Sequence, residues 1–134
     1  MKKFKGWNNF LNELEDDTKI VAKAVIYVDE KILMLKKAKN SKWDLPGGHL
    51  VKGETVLQGL KREIKEETGL YIDTSVAELV QKSAHKFYYK LPLPDGIISL
   101  SGEHTEYRFI SKSDIDNHDI SRNYKNVIKK SFIG

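Results

Sequence analysis

Three glutamates near the middle of the chain have a spacing that suits metal binding. Glu63, Glu66 and Glu67 stand at positions i, i+3 and i+4, which places their carboxylates on one face of an α-helix. Like charges so close destabilise a helix unless a counter-charge offsets them. A bound divalent cation would offset them, because hard cations such as Mg²⁺ prefer oxygen ligands. The alternative is a solvated acidic face paired with neighbouring lysines and Arg62.

The helix that must carry these glutamates has recognisable ends. Thr55 followed by Gln58 fits a capping box, and Gly69 is a natural C-terminal stop. A core-facing stripe lies on a different face from the acids and consists of Leu57, Leu60 and Ile64. The sequence therefore predicts a helix with separate core, solvent and acidic faces.

Glycines accompany this helix at two places. Gly47 and Gly48 precede it, where glycine allows a close backbone approach or a positive φ. Gly59 lies inside the helix among the carboxylates, although an interior glycine costs about 1 kcal/mol against alanine. We expect another backbone segment to approach the helix closely at Gly59.

The stretch from Gly47 to Leu70 resembles the signature of the Nudix hydrolases, the MutT-like family. The signature is a glycine, five residues, a glutamate, seven residues, and then Arg-Glu-aliphatic-x-Glu-Glu-x-Gly-aliphatic. The residues that match it are Gly48, Glu54, Arg62, Glu63, Ile64, Glu66, Glu67, Gly69 and Leu70. The flanking hairpin, the Trp43 to Gly48 segment and the late EYRFIS strand also look like the family.

This resemblance implies a fold and a cofactor. The fold class is α+β: a Nudix fold, that is, an α/β/α sandwich with a central mixed β-sheet and the signature loop-helix, in a single domain over residues 1–134. The implied cofactor is Mg²⁺, for which Mn²⁺ can substitute. Its implied ligands are Gly47 through its carbonyl, Glu63, Glu66, Glu67 and Glu106.

The resemblance also implies catalytic roles. Arg62 holds carboxylates in place, with Glu54 and Glu63 as its partners. The general base differs between family members, so two positions remain open. Glu63 is one candidate, and the other is an acid just before the last strand, where Glu106 is preferred over Glu103.

Three further positions bear on the site. Val51 stands where many relatives have an acid that assists the metal, which puts a full multi-metal cluster in doubt. Lys52 is a candidate phosphate contact, with a solvated loop lysine as the alternative. Asn123 is a candidate for reading a base edge, and a polar residue at a helix N-terminus is the commoner explanation.

The resemblance favours a small nucleotide pyrophosphatase. We expect hydrolysis of a nucleoside triphosphate, such as a canonical or oxidised dNTP, to a nucleoside monophosphate and pyrophosphate. Dinucleoside polyphosphates and RNA 5′ ends are the alternative substrates, and nucleoside diphosphate sugars are a third. A non-catalytic nucleotide-binding module is the alternative of another class, although no signature residue is lost.

Composition bounds the class of protein. The 134 residues are 40% hydrophobic and 31% charged, as in a soluble globular domain, and the net charge of +4 is compatible with an anionic substrate. The lack of cysteine excludes disulfides and thiolate sites. No apolar run approaches the roughly 18 residues of a membrane span, and the N-terminus is not typical of a signal peptide. We therefore expect a cytoplasmic protein.

The remaining segments predict the elements that hold the site. The first half has an amphipathic helical turn over 7–14, a hairpin of strands 20–28 and 32–35 with its turn at Asp29-Glu30, and a basic loop over 36–42. The second half has short strands over 76–80, 85–91, 97–100 and 107–110, and a closing helix over 121–132. The four histidines show no zinc-like pairing, and His104 is expected in a loop. The Trp7 turn and aromatic side chains such as Tyr88 permit a homodimer as well as a monomer.

Overall fold

A computed structural model describes residues 19–133, so the predicted turn around Trp7 lies outside the described residues. Two short 3₁₀ turns, Thr74–Val76 and Ile115–Asn117, join regular elements. These elements are, in chain order, β1 (Val21–Val28), β2 (Lys31–Lys37), β3 (Trp43–Asp44), β4 (Gly47–His49), α1 (Val56–Thr68), β5 (Glu78–Lys82), β6 (Lys86–Pro92), β7 (His104–Ser111) and α2 (Arg122–Ser131).

The strands form one mixed seven-stranded sheet with β1 at its centre. β1 pairs in parallel with β6, starting at Val21 opposite Lys86, and antiparallel with β2 and β4. β7 runs antiparallel along β2, and β5 runs antiparallel along β6. The short β4 strand therefore lies against the start of β1 and leads directly toward α1.

Each face of the sheet is covered by one helix, because side chains alternate between faces along a strand. Ala22, Ala24 and Ile26 of β1 belong to the core that contains Leu60 and Ile64 of α1. Val25 of β1 and Met34 of β2 belong to the core on the other face, with Val127 and Ile128 of α2. The predicted α/β/α sandwich is thereby confirmed.

Local predictions near β1 and α1 are also confirmed. The β1–β2 hairpin turns at Asp29, which adopts a φ of 55°, and Val28 pairs with Lys31. Thr55 caps α1 and Gly69 ends it in the left-handed region with a φ of 77°. Residues 19–133 contain no helix with the length and apolar character needed to cross a membrane.

Three expectations are wrong. Residues 97–100 form no strand, because the N–H groups of Ser99 and Ser101 bind the last carbonyls of α1, those of Thr68 and Glu67. The strand expected from residue 76 begins at Glu78, since the Asp73-capped 3₁₀ turn occupies the preceding residues. Tyr88 is only 3% exposed and therefore offers no surface for a dimer.

Candidate active site

The position of α1 is set by reciprocal hydrogen bonds at its first turn. The Gln58 N–H donates to Oγ1 of Thr55 at 3.1 Å, and the Thr55 N–H donates to Oε1 of Gln58 at 2.9 Å. This capping box satisfies two amide groups that a helix N-terminus leaves without partners. It fixes where the helix begins and therefore which residues face the sheet.

Two glycines let the β4 loop approach both the sheet and the helix. Gly47 has a φ of 127°, and a Cβ there would lie 2.1 Å from the carbonyl oxygen of Ala22. A Cβ on Gly48 would lie 2.7 Å from the Glu63 carboxylate. A larger residue at either position would displace a neighbour, so both positions need glycine for close approach, and Gly47 also needs it for its positive φ.

Gly59 is explained by side chains instead of the backbone segment that the sequence suggested. A Cβ at Gly59 would lie 2.7 Å from Cγ of Leu50 and 3.1 Å from Oε1 of Glu54. Leu50 is 2% exposed and has little room to move. The missing side chain at Gly59 thus makes space for the loop that carries Glu54.

Arg62 contacts three carboxylates, including those of Glu54 and Glu63, the partners that the family resemblance implies. Its Nε and Nη2 donate to the two oxygens of Glu54 at 2.6 and 3.1 Å. Its Nη1 contacts Glu63 at 3.3 Å and both oxygens of Glu66 at 3.1 Å. Nη2 also donates to the His49 carbonyl at 3.1 Å, which ties the loop to α1. The hydrogen bond from Arg62 lowers the pKa of Glu54.

Glu67 is the buried acid of the helix and is 4% exposed. Its Oε1 accepts a hydrogen bond from the Gly47 N–H at 3.0 Å. Burial raises the pKa of Glu67 to about 7, despite that hydrogen bond and the nearby charge of Lys23. Burial also raises the pKa of Glu63. Burial therefore disfavours the ionised form of both carboxylates, and a bound cation would stabilise that form.

These acids line a cavity of about 710 Å³ between α1, β4 and the start of β7. Its basic lining comes from Lys23, Lys37 and Lys39, and its acidic lining comes from Asp44, Glu63, Glu67 and Glu103. Glu66 is not part of the lining; its side chain is 58% exposed and is held by Arg62. A cavity with carboxylates and ammonium groups together suits a metal ion with a phosphorylated ligand.

Glu103 and Glu106, the two acids considered before the last strand, lie in different surroundings. One carboxylate oxygen of Glu103 lies within 4.8 Å of ligand atoms from Glu67 and His104. The Glu106 carboxylate instead contacts Arg108 at 2.8 Å and Lys36 at 3.7 Å, on the sheet. The geometry therefore favours Glu103, the second choice from the sequence, over Glu106.

Lys52 and Asn123 lie apart from the cavity lining. Lys52 is exposed in the loop before α1, next to the exposed Val51. Asn123 is exposed in the first turn of α2, and its Nδ2 donates to the Tyr88 hydroxyl at 2.8 Å. The carbonyl of Gly47, by contrast, lies at the site, where it accepts from Nζ of Lys23 at 3.1 Å.

A buried polar network that the sequence did not predict lies behind the acids. Asp44 is 4% exposed, and its carboxylate accepts from Lys23 Nζ at 3.1 Å and from the Tyr124 hydroxyl at 2.9 Å. His104 Nε2 lies 3.2 Å from the same carboxylate. Burial alone would raise the pKa of Asp44, but the bond to His104 and the charge of Lys23 outweigh it and lower the pKa.

His104 itself corrects the expectation of a loop residue. It opens β7 and is 6% exposed. The alternation of the last strand gave no clear signal for His104, because the residues two and four before Ile110 are the charged Arg108 and Glu106. Asp44 did give a signal, since it lies between Trp43 and Leu45 in an otherwise apolar segment.

The donors at the cavity fit a divalent cation. Single ligand atoms of Glu67, Glu103 and His104 all lie within 4.8 Å of one another, and the Glu63 carboxylate lines the same space. Carboxylate oxygens are the preferred ligands of Mg²⁺, and Mn²⁺ accepts both oxygen and imidazole nitrogen. Without a cation, the Gly47 hydrogen bond and the charges of Lys23 and His104 offset the burial of Glu67 only in part.

Comparison with known proteins points to one family. The NUDIX domain model matches residues 17–130. One relative is the uncharacterized Nudix hydrolase YvcI of Bacillus subtilis, which is 42% identical over 39% of this chain and 33% of its own length. Another is a MutT-like protein of Streptomyces ambofaciens, which is 28% identical over 71% of this chain and 64% of its own length. An 8-oxo-dGTP diphosphatase of Proteus vulgaris is 40% identical over 50% of this chain and 53% of its own. The matches thus span less than two thirds of these relatives.

Solved structures share the fold. The crystal structure of a MutT protein from Methanosarcina mazei Go1 superposes with a TM-score of 0.63 at 24% identity, covering 83% of this chain and 90% of that one. The Escherichia coli dihydroneopterin triphosphate pyrophosphohydrolase gives a TM-score of 0.68 at 21% identity, covering 86% and 94%. At these identities the likeness establishes the fold alone.

Proposed function

Because the chain belongs to the NUDIX family of hydrolases, we propose that it is a divalent-metal-dependent pyrophosphohydrolase. The proposed reaction is hydrolysis of a nucleoside triphosphate, canonical or oxidised, to a nucleoside monophosphate and pyrophosphate. The observation that carries this proposal is the convergence of Glu63, Glu67 and Glu103 on one cavity that also presents three lysines.

The proposed metal is Mg²⁺, with Mn²⁺ as a substitute. Glu67 and Glu103 would hold it, and Glu66 and the Gly47 carbonyl remain proposed ligands. When bound, such a cation neutralises phosphate charge and lowers the pKa of a coordinated water. The Glu66 side chain is 58% exposed and its carboxylate is held by Arg62, away from the cavity lining. For Glu66 to be a ligand, its side chain would have to turn toward the cavity when substrate binds.

The proposed base is Glu63. Its carboxylate lines the cavity, and burial raises its pKa, which makes it a better proton acceptor than an ordinary glutamate. It would take the proton from the attacking water. Arg62 contacts Glu54, Glu63 and Glu66 and would keep the base in place, so Arg62 and Glu54 are proposed as positioning residues.

Lys37 and Lys39 are the groups proposed to bind the phosphates. Both line the cavity, Lys37 at the end of β2 and Lys39 on the turn that follows it, and neither has an acidic partner within salt-bridge distance in the described part of the chain. Ammonium groups beside a carboxylate-lined space would attract a highly charged polyphosphate chain. Lys52 and Asn123, outside the lining, remain proposals for phosphate and base contacts in the bound complex.

The choice of a nucleoside triphosphate has two supports. The lysines favour a chain of several phosphates over an uncharged leaving group. The relative from Proteus vulgaris is named for hydrolysis of 8-oxo-dGTP. Dinucleoside polyphosphates and triphosphorylated RNA ends share the same polyphosphate chemistry, and they belong in the same assay.

The test is a nucleotide panel with Mg²⁺ or Mn²⁺ and with separated products. It includes dNTPs, oxidised dNTPs, dinucleoside polyphosphates, ADP-ribose and triphosphorylated RNA. We expect triphosphates to give monophosphate and pyrophosphate, and Glu67→Gln to reduce the rate at least about 10²-fold through loss of a metal-bound carboxylate. If no substrate is turned over faster than by Glu67→Gln, the protein is not this enzyme.

A further inference from the structure

A buried histidine at the acidic cavity has one ring nitrogen without a hydrogen-bond partner. The His104 side chain is 3% exposed, and its Nδ1 is the one buried side-chain polar atom among residues 19–133 that has no such partner. Buried polar atoms in folded proteins are nearly always hydrogen-bonded, so an exception calls for an explanation such as an ion. His104 also lines the cavity together with Glu67 and Glu103.

Asp44 fixes which nitrogen of His104 is available. Nε2 lies 3.2 Å from Oδ2 of Asp44. Asp44 forms a buried ion pair with Lys23 at 3.1 Å, so its carboxylate is ionised and can only accept hydrogen bonds. In the neutral imidazole the proton therefore lies on Nε2, and Nδ1 keeps its lone pair. A carboxylate behind an imidazole is the arrangement that orients histidine ligands in metal sites.

The carboxylate is itself held rigidly. Lys23 Nζ donates to both oxygens of Asp44 at 3.1 and 3.3 Å, and the Tyr124 hydroxyl donates to Oδ1 at 2.9 Å. The ring of His104 thus has a fixed orientation on the β7 side of the cavity. One ring nitrogen and one carboxylate oxygen each of Glu67 and Glu103 lie within 4.8 Å of one another, a separation that a single ion can bridge.

We propose that His104 is a nitrogen ligand of the metal site, shared with Glu67 and Glu103 and oriented by Asp44. This inference rests on the proposed metal dependence and adds a ligand that the acidic signature does not include. Imidazole suits Mn²⁺, Co²⁺ and Zn²⁺ better than Mg²⁺, which prefers oxygen. The site therefore binds these transition metals more tightly, relative to Mg²⁺, than a site of oxygens alone.

The decisive measurement is spectroscopic and uses the wild-type protein. Electron spin-echo modulation of bound Mn²⁺ reports nitrogen nuclei in its coordination sphere. We expect ¹⁴N coupling in the wild type, its loss in His104→Gln, and its retention in His85→Gln, where an exposed histidine outside the cavity lining is replaced. Absence of ¹⁴N coupling from wild-type protein with bound Mn²⁺ would overturn the assignment, even if His104→Gln does not fold.

Metal titrations give the matching affinities. We expect His104→Gln to weaken Co²⁺ binding by about 10- to 100-fold, the range seen when ligand shells are disturbed, and to change Mg²⁺ affinity far less. Equal loss for both metals would contradict a nitrogen ligand. If the protein hydrolyses nucleotides but bound Mn²⁺ shows no ¹⁴N coupling, His104 is not a ligand and the proposed function stands. If ¹⁴N coupling is present but no nucleotide is hydrolysed, His104 is a ligand and the proposed function is wrong.

Discussion

The backbone N–H of Gly47 donates to Oε1 of Glu67 at 3.0 Å, and this bond joins the β4 loop to the buried face of α1. It gives one fixed partner to a carboxylate whose residue is only 4% exposed. The bond alone would lower the pKa of Glu67, but burial dominates and raises it to about 7. The metal-free protein therefore holds an acid that is costly to ionise.

Stability of the metal-free protein should depend on pH through Glu67. Its pKa rises from 4.5 in the unfolded chain to about 7 in the folded one, so the folded state binds the proton more tightly. The resulting stabilisation is complete below pH 4.5 and is lost as pH rises through 7. We expect the free energy of unfolding in urea with EDTA to fall by about 3 kcal/mol across this window.

Glu67→Gln is the control for that measurement, because glutamine cannot ionise. Its unfolding free energy should vary much less between pH 4.5 and 8. Mg²⁺ should stabilise the wild type more at pH 8 than at pH 5, since ligands bind the ionised carboxylate. Identical pH dependence of the wild type and Glu67→Gln would show that Glu67 does not carry the effect.

Glu103→Gln and Glu106→Gln should separate the two acids. Glu103 lies with Glu67 and His104 at the cavity, whereas Glu106 pairs with Arg108 and Lys36. We expect Glu103→Gln to lower kcat at least about 10²-fold. Glu106→Gln should change it less than about 3-fold, because partly exposed ion pairs contribute little. A larger loss of kcat in Glu106→Gln than in Glu103→Gln would show that Glu106, and not Glu103, belongs to the site.

Arg62→Lys should damage the site while keeping the charge. Arg62 binds both oxygens of Glu54 and also reaches Glu63 and Glu66, and a lysine ammonium cannot make this set of contacts. Calorimetric titration should show Mg²⁺ affinity reduced about 10-fold. The exposed Lys61→Arg serves as the matched control and should bind Mg²⁺ like the wild type.

Gly48→Ala should impair catalysis more than stability. The added methyl would lie 2.7 Å from the carboxylate of Glu63, which can swing away because it ends a flexible side chain. We expect kcat/KM to fall more than about 10-fold, since small misplacements of catalytic groups are costly. Gly102→Ala, where the methyl meets open space, should retain activity. Full activity in Gly48→Ala would mean that the position of Glu63 is not critical.

Gly59→Ala should destabilise the fold although alanine is the better helix former. Alanine gains about 1 kcal/mol in helix propensity. Its methyl would lie 2.7 Å from the buried Cγ of Leu50, and such overpacking costs about 1–3 kcal/mol. We expect a net loss of about 1 kcal/mol in urea unfolding. A more stable Gly59→Ala would show that Leu50 can repack.

Local signals predicted the parts of the site that one helix contains. The Thr55 cap, the Gly69 stop and the contacts of Arg62 with Glu63 and Glu66 follow from spacing along a single element. The hairpin at Asp29 was predictable for the same reason. These features depend on neighbours within a few residues, and the sequence displays such neighbours directly.

Features that depend on distant pairing were not predictable in this way. Asp44 and His104 meet only because β3 and β7 both flank β2. The choice between Glu103 and Glu106 depends on where β7 begins, since Glu103 precedes the strand and Glu106 lies within it, and on the irregular pairing near Lys36 and Lys37. Residues 97–100 have an alternating pattern, but their amide groups bind the end of α1.

The parallel pairing of β1 with β6 has a consequence for the order of folding. Val21 lies opposite Lys86, so the central pair of the sheet closes only after α1 and everything around it has been enclosed in one long loop. Closing such loops slows folding, because chain entropy is lost before contacts form. We expect α1 and the β1–β2 hairpin to form early and the complete set of ligands to come together late. Metal binding during refolding would then report the final step of assembly.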